Sequence, residues 1–170
     1  MSFVEELAAA EIGATFNFYR EAPRSNLLKA RLAAYLDARA DAPLLLVGEA
    51  PGYRGARVSG IPFTSERQLT GAGPAEVTAT IVRAALAELG LEAQTLCWNV
   101  VPTHPGTATS NRRPTRVEIE AGVPFLRRLA RDRRVLAVGR LAEATTGAPY
   151  VRHPSHGGAG AFRETLRAWS

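Results

Sequence analysis

Hydrophobic and polar positions along this chain fall into blocks whose period switches between that of a helix and that of a strand. Leu28, Leu32, Tyr35 and Leu36 recur at the i, i+4, i+7, i+8 spacing of one buried helical face, and Ser25 is placed to cap it. Leu44-Leu45-Leu46-Val47-Gly48 follows as an unbroken apolar run, as a strand covered on both faces requires. A long loop then reaches Gly73. Pro74 is placed to open a helix with Ile81, Val82, Ala85, Leu86 and Leu89 on its inner face, and Gly90 ends it. Thr95 to Val100 reads as the second strand, Val135 to Gly139 as the third and Pro149 to Arg152 as a short fourth. Thr115-Arg116-Val117-Glu118 is a capping box that starts a helix, which Pro124 is expected to kink or cut short. Phe3 to Tyr19 is expected to form one long N-terminal helix, Arg140 to Thr146 a short one and Ala159 to Trp169 a closing one.

Strands alternating with helices predict an α/β fold, a three-layer α/β/α arrangement around a central four-stranded parallel sheet. Residues 1–170 are expected to form a single domain, since no repeat, low-complexity tract or linker interrupts them. Open parallel sheets bind ligands outside the carboxyl ends of their strands. The loops after Gly48, Val100 and Arg152 should therefore meet at one edge, and chemistry is sought there.

Composition narrows the class. Hydrophobic residues make up 46% and charged residues 22%, a globular balance. Cys97 is the single cysteine, which excludes an internal disulfide framework and any cluster held by several thiolates. No apolar run approaches the roughly 20 residues of a membrane span, and Met1 to Glu6 carries two acids and no basic n-region. A cytoplasmic monomer without a membrane association is expected. The net charge is +5, from 21 Lys+Arg against 16 Asp+Glu, nearly all the cations being arginine. Arginine suits phosphate because its planar fork donates two parallel hydrogen bonds, although an arginine-biased genome gives the same composition.

Four loop segments carry candidate chemistry. Gly48-Glu49-Ala50-Pro51-Gly52 leaves the first strand directly and places a carboxylate at the sheet mouth. It lacks the Lys-Ser/Thr of a phosphate-cradling loop and is not G-x-G-x-x-G, so a nucleotide cofactor is unsupported. Ser59-Gly60-Ile61-Pro62-Phe63-Thr64-Ser65 presents an aromatic ring, either packed inward or available to stack on a base. Asn99, at the end of the second strand, has a donor and an acceptor side by side, suited to capping a turn or to reading a pyrimidine edge. His153-Pro154-Ser155-His156-Gly157-Gly158 puts a histidine just past the fourth strand.

Together, and in this order, these pieces resemble the uracil-DNA glycosylase superfamily. The resemblance rests on Val47 to Gly52, Gly60 to Thr64, Asn99-Val100-Val101-Pro102, Ser110 to Thr115 with Glu118, Val138-Gly139-Arg140 and His153-Pro154-Ser155. It is nearest to the thermostable bacterial and archaeal branches, whose first motif reads Gly-x-Ala-Pro-Gly. It implies hydrolysis of the N-glycosidic bond of uracil, or of another deaminated base, in DNA after the nucleotide is flipped into a pocket. On that basis Phe63 stacks on the base, beside Ala50 and Pro51. Asn99 bonds its edge, and His153 donates to the O2 that gains charge as the bond breaks. Glu49 positions the water and offsets the cationic sugar, with Glu66 as the alternative acid. Ser65, Ser155, Arg57 and the N–H groups of Gly157 and Gly158 are candidates for holding phosphates, as are Arg112 and Arg113.

The departures sharpen the expectation. Those thermostable relatives hold an iron–sulfur cluster with four cysteines, whereas this chain has only Cys97, so no cofactor and no metal is expected. Ala50 stands where the best-known branch carries an aspartate. The loop after His153-Pro154-Ser155 continues His156-Gly157-Gly158, with only His156 large enough to act as a wedge, so single strands or mismatches are expected to be preferred over a well-paired duplex. The alternatives are a relative that binds nucleic acid without catalysis and, last, a small-molecule hydrolase using Ser155 and His156, which no Gly-x-Ser-x-Gly elbow supports.

Overall fold

The computed structural model describes residues 1–169. In chain order the elements are α1 (Phe3–Ala9), α2 (Ser25–Asp37), β1 (Leu44–Gly48), α3 (Ala56–Ser59), α4 (Glu66–Thr70), α5 (Val77–Glu88) and β2 (Thr95–Asn99). They continue with β3 (Gly106–Thr107), β4 (Ser110–Asn111), α6 (Arg116–Ala130), β5 (Arg134–Val138), α7 (Arg140–Thr146), β6 (Tyr150–Val151) and α8 (Ala159–Trp169).

The four apolar runs pair as one parallel sheet in the order β2-β1-β5-β6. Side chains alternate across it. Leu45, Val47, Leu96, Trp98 and Ala137 point to one face and meet Leu7, Leu28, Leu32, Leu126 and Ala142 of α1, α2, α6 and α7. Leu44, Leu46, Cys97, Leu136 and Val138 point to the other and meet Val82, Leu86, Phe162 and Leu166 of α5 and α8. This is the expected three-layer α/β/α architecture, with apolar strands buried from both sides. The β1–β2 register aligns Gly48 with Asn99, so both strands end at the same level. The antiparallel ribbon β3–β4 lies apart from the sheet. Among the described residues, no helix is long and apolar enough to cross a membrane.

Several local expectations are corrected. The N-terminal helix stops at Ala9 instead of reaching Tyr19. The Asn17 side chain donates to the carbonyls of Leu7, Ala8 and Ala10 and so serves the helix end. Gly13 then takes a positive φ of 55°, where a Cβ would lie 2.5 Å from Glu118 Cγ. Phe16 pairs with His104 instead of continuing a helix. Ser25 is inside α2 and Arg24 occupies the cap position, its side chain making no capping bond to the helix. The loop to Gly73 contains α3 and α4, and α5 begins at Val77, three residues after Pro74. Val100 lies just past β2.

Helix α6 runs through Pro124 without ending. Its start is the expected capping box, with Thr115 and Glu118 each bonding the other's backbone N–H. Its Gly122 packs so closely on the segment after β2 that a Cβ there would lie 2.3 Å from Val100 O. Tertiary contact of this kind outweighs the one hydrogen bond that Pro124 removes. It also fixes the backbone leading away from Asn99.

Candidate active site

Gly48 is the floor of a recess at the carboxyl edge of the sheet. A Cβ on it would lie 2.4 Å from Phe63 Cζ and 2.8 Å from Asn99 Oδ1, so only the absence of a side chain lets ring and carboxamide converge there. Phe63 adopts a positive φ of 51°, unusual for a bulky residue, and thereby turns its ring under the recess. The turn that holds it is tied internally: Ser59 Oγ donates to Thr64 O (2.6 Å) and Thr64 Oγ1 to Pro62 O (3.1 Å). From outside, Arg83 donates to Thr64 Oγ1 (2.7 Å) and the Tyr19 hydroxyl to Gly60 O (2.8 Å). Asn99 is 4% exposed, and its carboxamide bonds to no described residue. A buried, unpartnered donor–acceptor pair is a prepared recognition group.

Opposite these stands His153. The Ser155 backbone N–H, which can only donate, lies 3.3 Å from His153 Nδ1, so Nδ1 accepts and the proton of the neutral ring sits on Nε2. Ser155 Oγ lies 2.7 Å from the same Nδ1 and 3.0 Å from His156 Nδ1. Although His153 is exposed as a whole, desolvation of its ring by the loop around it, and secondarily the neighbouring His156, hold its pKa below the ordinary value. The ring is thus a neutral Nε2–H donor. Gly158 lets the loop close behind it: a Cβ there would lie 2.0 Å from His153 O.

The recess, about 70 Å³, adjoins an outer cleft of about 510 Å³ with which it shares part of its lining. Residues 49–52, Glu76, Thr78 and His153 line both and form the neck between them. Glu49 is half-buried there and its carboxylate has no partner among the described residues. The turn after β1 is clamped to the β3–β4 ribbon, since the buried His104 places Nδ1 2.8 Å from Pro51 O and Asn111 Oδ1 accepts from the Tyr53 N–H (2.9 Å). Arg112, in the cleft wall, is gripped by both oxygens of buried Glu118 at 2.6 and 2.8 Å. The Arg112 guanidinium, against the opposing effect of burial, holds the Glu118 carboxyl at about 2. Arg140, also in the wall, pairs with Glu143.

Of the residues singled out from sequence, the structure brings together Glu49, Ala50, Pro51, Phe63, Asn99, His153 and Ser155. It does not bring in Glu66. That carboxylate is bound by Arg31 (2.7 Å) and Arg24 (2.9 Å) outside both cavities, and Arg31 chiefly holds its pKa low. Ser65 is buried as the cap of α4, its hydroxyl accepting from the Glu76 N–H, and so faces no cleft. Arg57 stacks on Phe16, 4.7 Å from the ring centre, in a separate groove. Gly157 and Gly158 shape the late loop without lining the cavities.

Glu76 was not foreseen. It lies beyond every recognisable motif and reaches the neck only because α5 points its N-terminus at the carboxyl edge of the sheet. Among the described residues, no cluster of three or more His, Cys, Asp or Glu could hold a metal ion.

A family model described as the uracil DNA glycosylase superfamily matches residues 35–167. The chain belongs to this superfamily. Its three-layer architecture is also similar to that of a solved structure, SMUG2 of Pedobacter heparinus, with a TM-score of 0.66 over 99% of this chain and 97% of that one, at 14% identity. That likeness is one of fold. No curated protein sequence matches the chain. Within the superfamily frame, the sheet-end turn, the Asn99 strand end and the His153 loop all open on the recess and neck described above.

Proposed function

We propose that this superfamily member is a monofunctional DNA glycosylase that hydrolyses the N-glycosidic bond of uracil or another deaminated base, taken out of the strand into the recess. The observation that carries this reading is the convergence of two free donors, Asn99 and His153 Nε2–H, on a cavity with an aromatic wall, Phe63. Asn99 offers a donor and an acceptor to the O4/N3–H edge of a uracil ring stacked on Phe63. The proton on His153 Nε2 faces the O2 that becomes negative as the bond breaks, a donor aimed at charge that exists only in the transition state. Glu49, at the neck, faces the sugar that becomes cationic. Lys29, the one lysine of the sequence, pairs with Glu5 of α1 and lines neither cavity, which favours water over an amine as the attacking group.

The test is incubation of the purified protein with a single-stranded oligonucleotide carrying one uracil, and with hypoxanthine and xanthine counterparts, followed by measurement of free base. Release of uracil, faster from the single strand than from a paired A·U duplex, is expected. Tight binding of the oligonucleotide without release of any base at excess protein would favour a nucleic-acid-binding relative that has lost the chemistry.

A further inference from the structure

The neck between recess and cleft holds two carboxyl groups, and only one of them belongs to a recognisable motif. A nucleotide with its base in the recess and its phosphates in the outer cleft must pass its sugar through the neck, so the groups lining both cavities are those that face the bond being broken. Glu76 is one of them. Its carboxyl nests over the turn after β1: a Cβ on Gly52 would lie 2.0 Å from Oε2 and one on Gly55 2.5 Å from it, so these glycines make its room. Its backbone is fixed by the N–H donated to Ser65 Oγ at 2.8 Å. The carboxyl itself bonds to no described residue, in contrast to Glu66 and Glu118, which arginines occupy.

We propose that Glu76 is a second catalytic carboxyl of this site, the general base that takes a proton from the water attacking the sugar, a role that rests on the glycosylase reading above. In inverting sugar hydrolysis, too, one of the two carboxyls flanking the glycosidic bond is the base that activates the attacking water. As the C1′–N bond breaks, its electron pair leaves with the base, whose O2 is held by His153. The water oxygen forms the new bond to C1′, and the proton it loses goes to Glu76. Glu76 returns that proton through solvent to the departing base, so that one water has been added across the bond. Glu49 faces the cationic sugar from the neck lining. Burial raises the pKa of Glu76, which makes its carboxylate a stronger proton acceptor than an ordinary glutamate. The other titratable and charged groups lining these cavities are Glu49, Arg112, Arg140, His153 and His156.

Single-turnover uracil release is compared for wild type, Glu76→Gln, Glu76→Asp and Glu49→Gln across pH, with binding followed by anisotropy of an oligonucleotide carrying a tetrahydrofuran abasic analogue. A base acts only when unprotonated, so the wild-type rate should climb with pH through the Glu76 pKa, on a limb placed above that of an ordinary glutamate. Glu76→Gln should lose about 100-fold in rate, keep its binding and lose that limb, as removal of a general base does. Glu76→Asp should be slower but keep the limb, as should Glu49→Gln. A Glu76→Gln rate within about threefold of wild type, or a slowed rate with the limb intact, overturns the proposal, because effects that small are below those of a general base. If wild type itself releases no base, the glycosylase reading falls and this role with it; if wild type and Glu76→Gln both release it equally, only the role of Glu76 falls.

Discussion

Phe63 and Asn99 are 9% and 4% exposed and press together over Gly48, whereas His153 and His156 stand exposed and are held by bonds inside their own loop. The two halves of the site therefore have different sources of order. The recess is a continuation of the core: its ring packs with the α5–α8 cluster, and its backbone is tied by buried hydroxyls. The late loop is outside the core, and His156 and Gly157 both adopt positive φ to bring it back. Recognition of a planar base needs fixed walls, while a loop that meets a DNA strand can adjust. On the proposed glycosylase reading, the difference would give selectivity to the first half and strand engagement with bond polarisation to the second.

Substitutions separate the two halves. The largest effect is expected for His153→Ala, which removes the donor proposed to face O2: single-turnover release should fall about 10²–10³-fold. Because the ring is exposed, unfolding free energy should change by no more than about 0.5 kcal/mol. A large stability loss would mean that the late loop is part of the core after all. Arg112 is the next test, since it belongs to the outer cleft yet is anchored to a buried group. Arg112→Met leaves Glu118 charged, buried and unpaired, and should cost about 3 kcal/mol in a denaturant titration.

The same pair has a pH signature. Arg112 holds the Glu118 carboxyl at about 2 in the folded protein, well below the ordinary glutamate value of 4.5, so its contribution is present in full above the higher figure and is lost as pH falls through the lower one. Acid unfolding of Arg112→Met should begin at higher pH than that of wild type, and coincident acid curves would contradict the role of Arg112. Third comes Gly48→Ala. The added methyl meets Phe63 and Asn99, an overpacking that should cost about 1–3 kcal/mol of stability and slow base release, while leaving binding of an abasic oligonucleotide intact. Loss of that binding would show that the halves do not act separately.

Much of this was written locally. The strands were legible because Leu44 to Val47 and Val135 to Val138 are apolar runs with no competing period, and the start of α6 because a capping box is a four-residue signal. The recess was legible in outline since Gly48, Phe63 and Asn99 lie in or beside strand ends and a parallel sheet gathers strand ends at one edge. What stayed hidden depends on partners far away in the chain. Glu66 looked like a free acid near the Phe63 turn, but Arg24 and Arg31, on and beside α2, occupy it. The first helix looked continuous to Tyr19 because nothing nearby shows that Gly13 must pass over Glu118. Glu76 gave no signal at all, since its position at the neck is a property of where α5 points rather than of any spacing.

Gly48 also limits how such a site can change over generations. A pocket whose floor is a side chain can be deepened or raised by a single substitution, but here the floor is main chain, and every replacement strikes the same two neighbours. On the proposed reading, new base preferences therefore have to enter through the walls, at positions such as 63 and 99. The floor stays common to every variant that still admits a base.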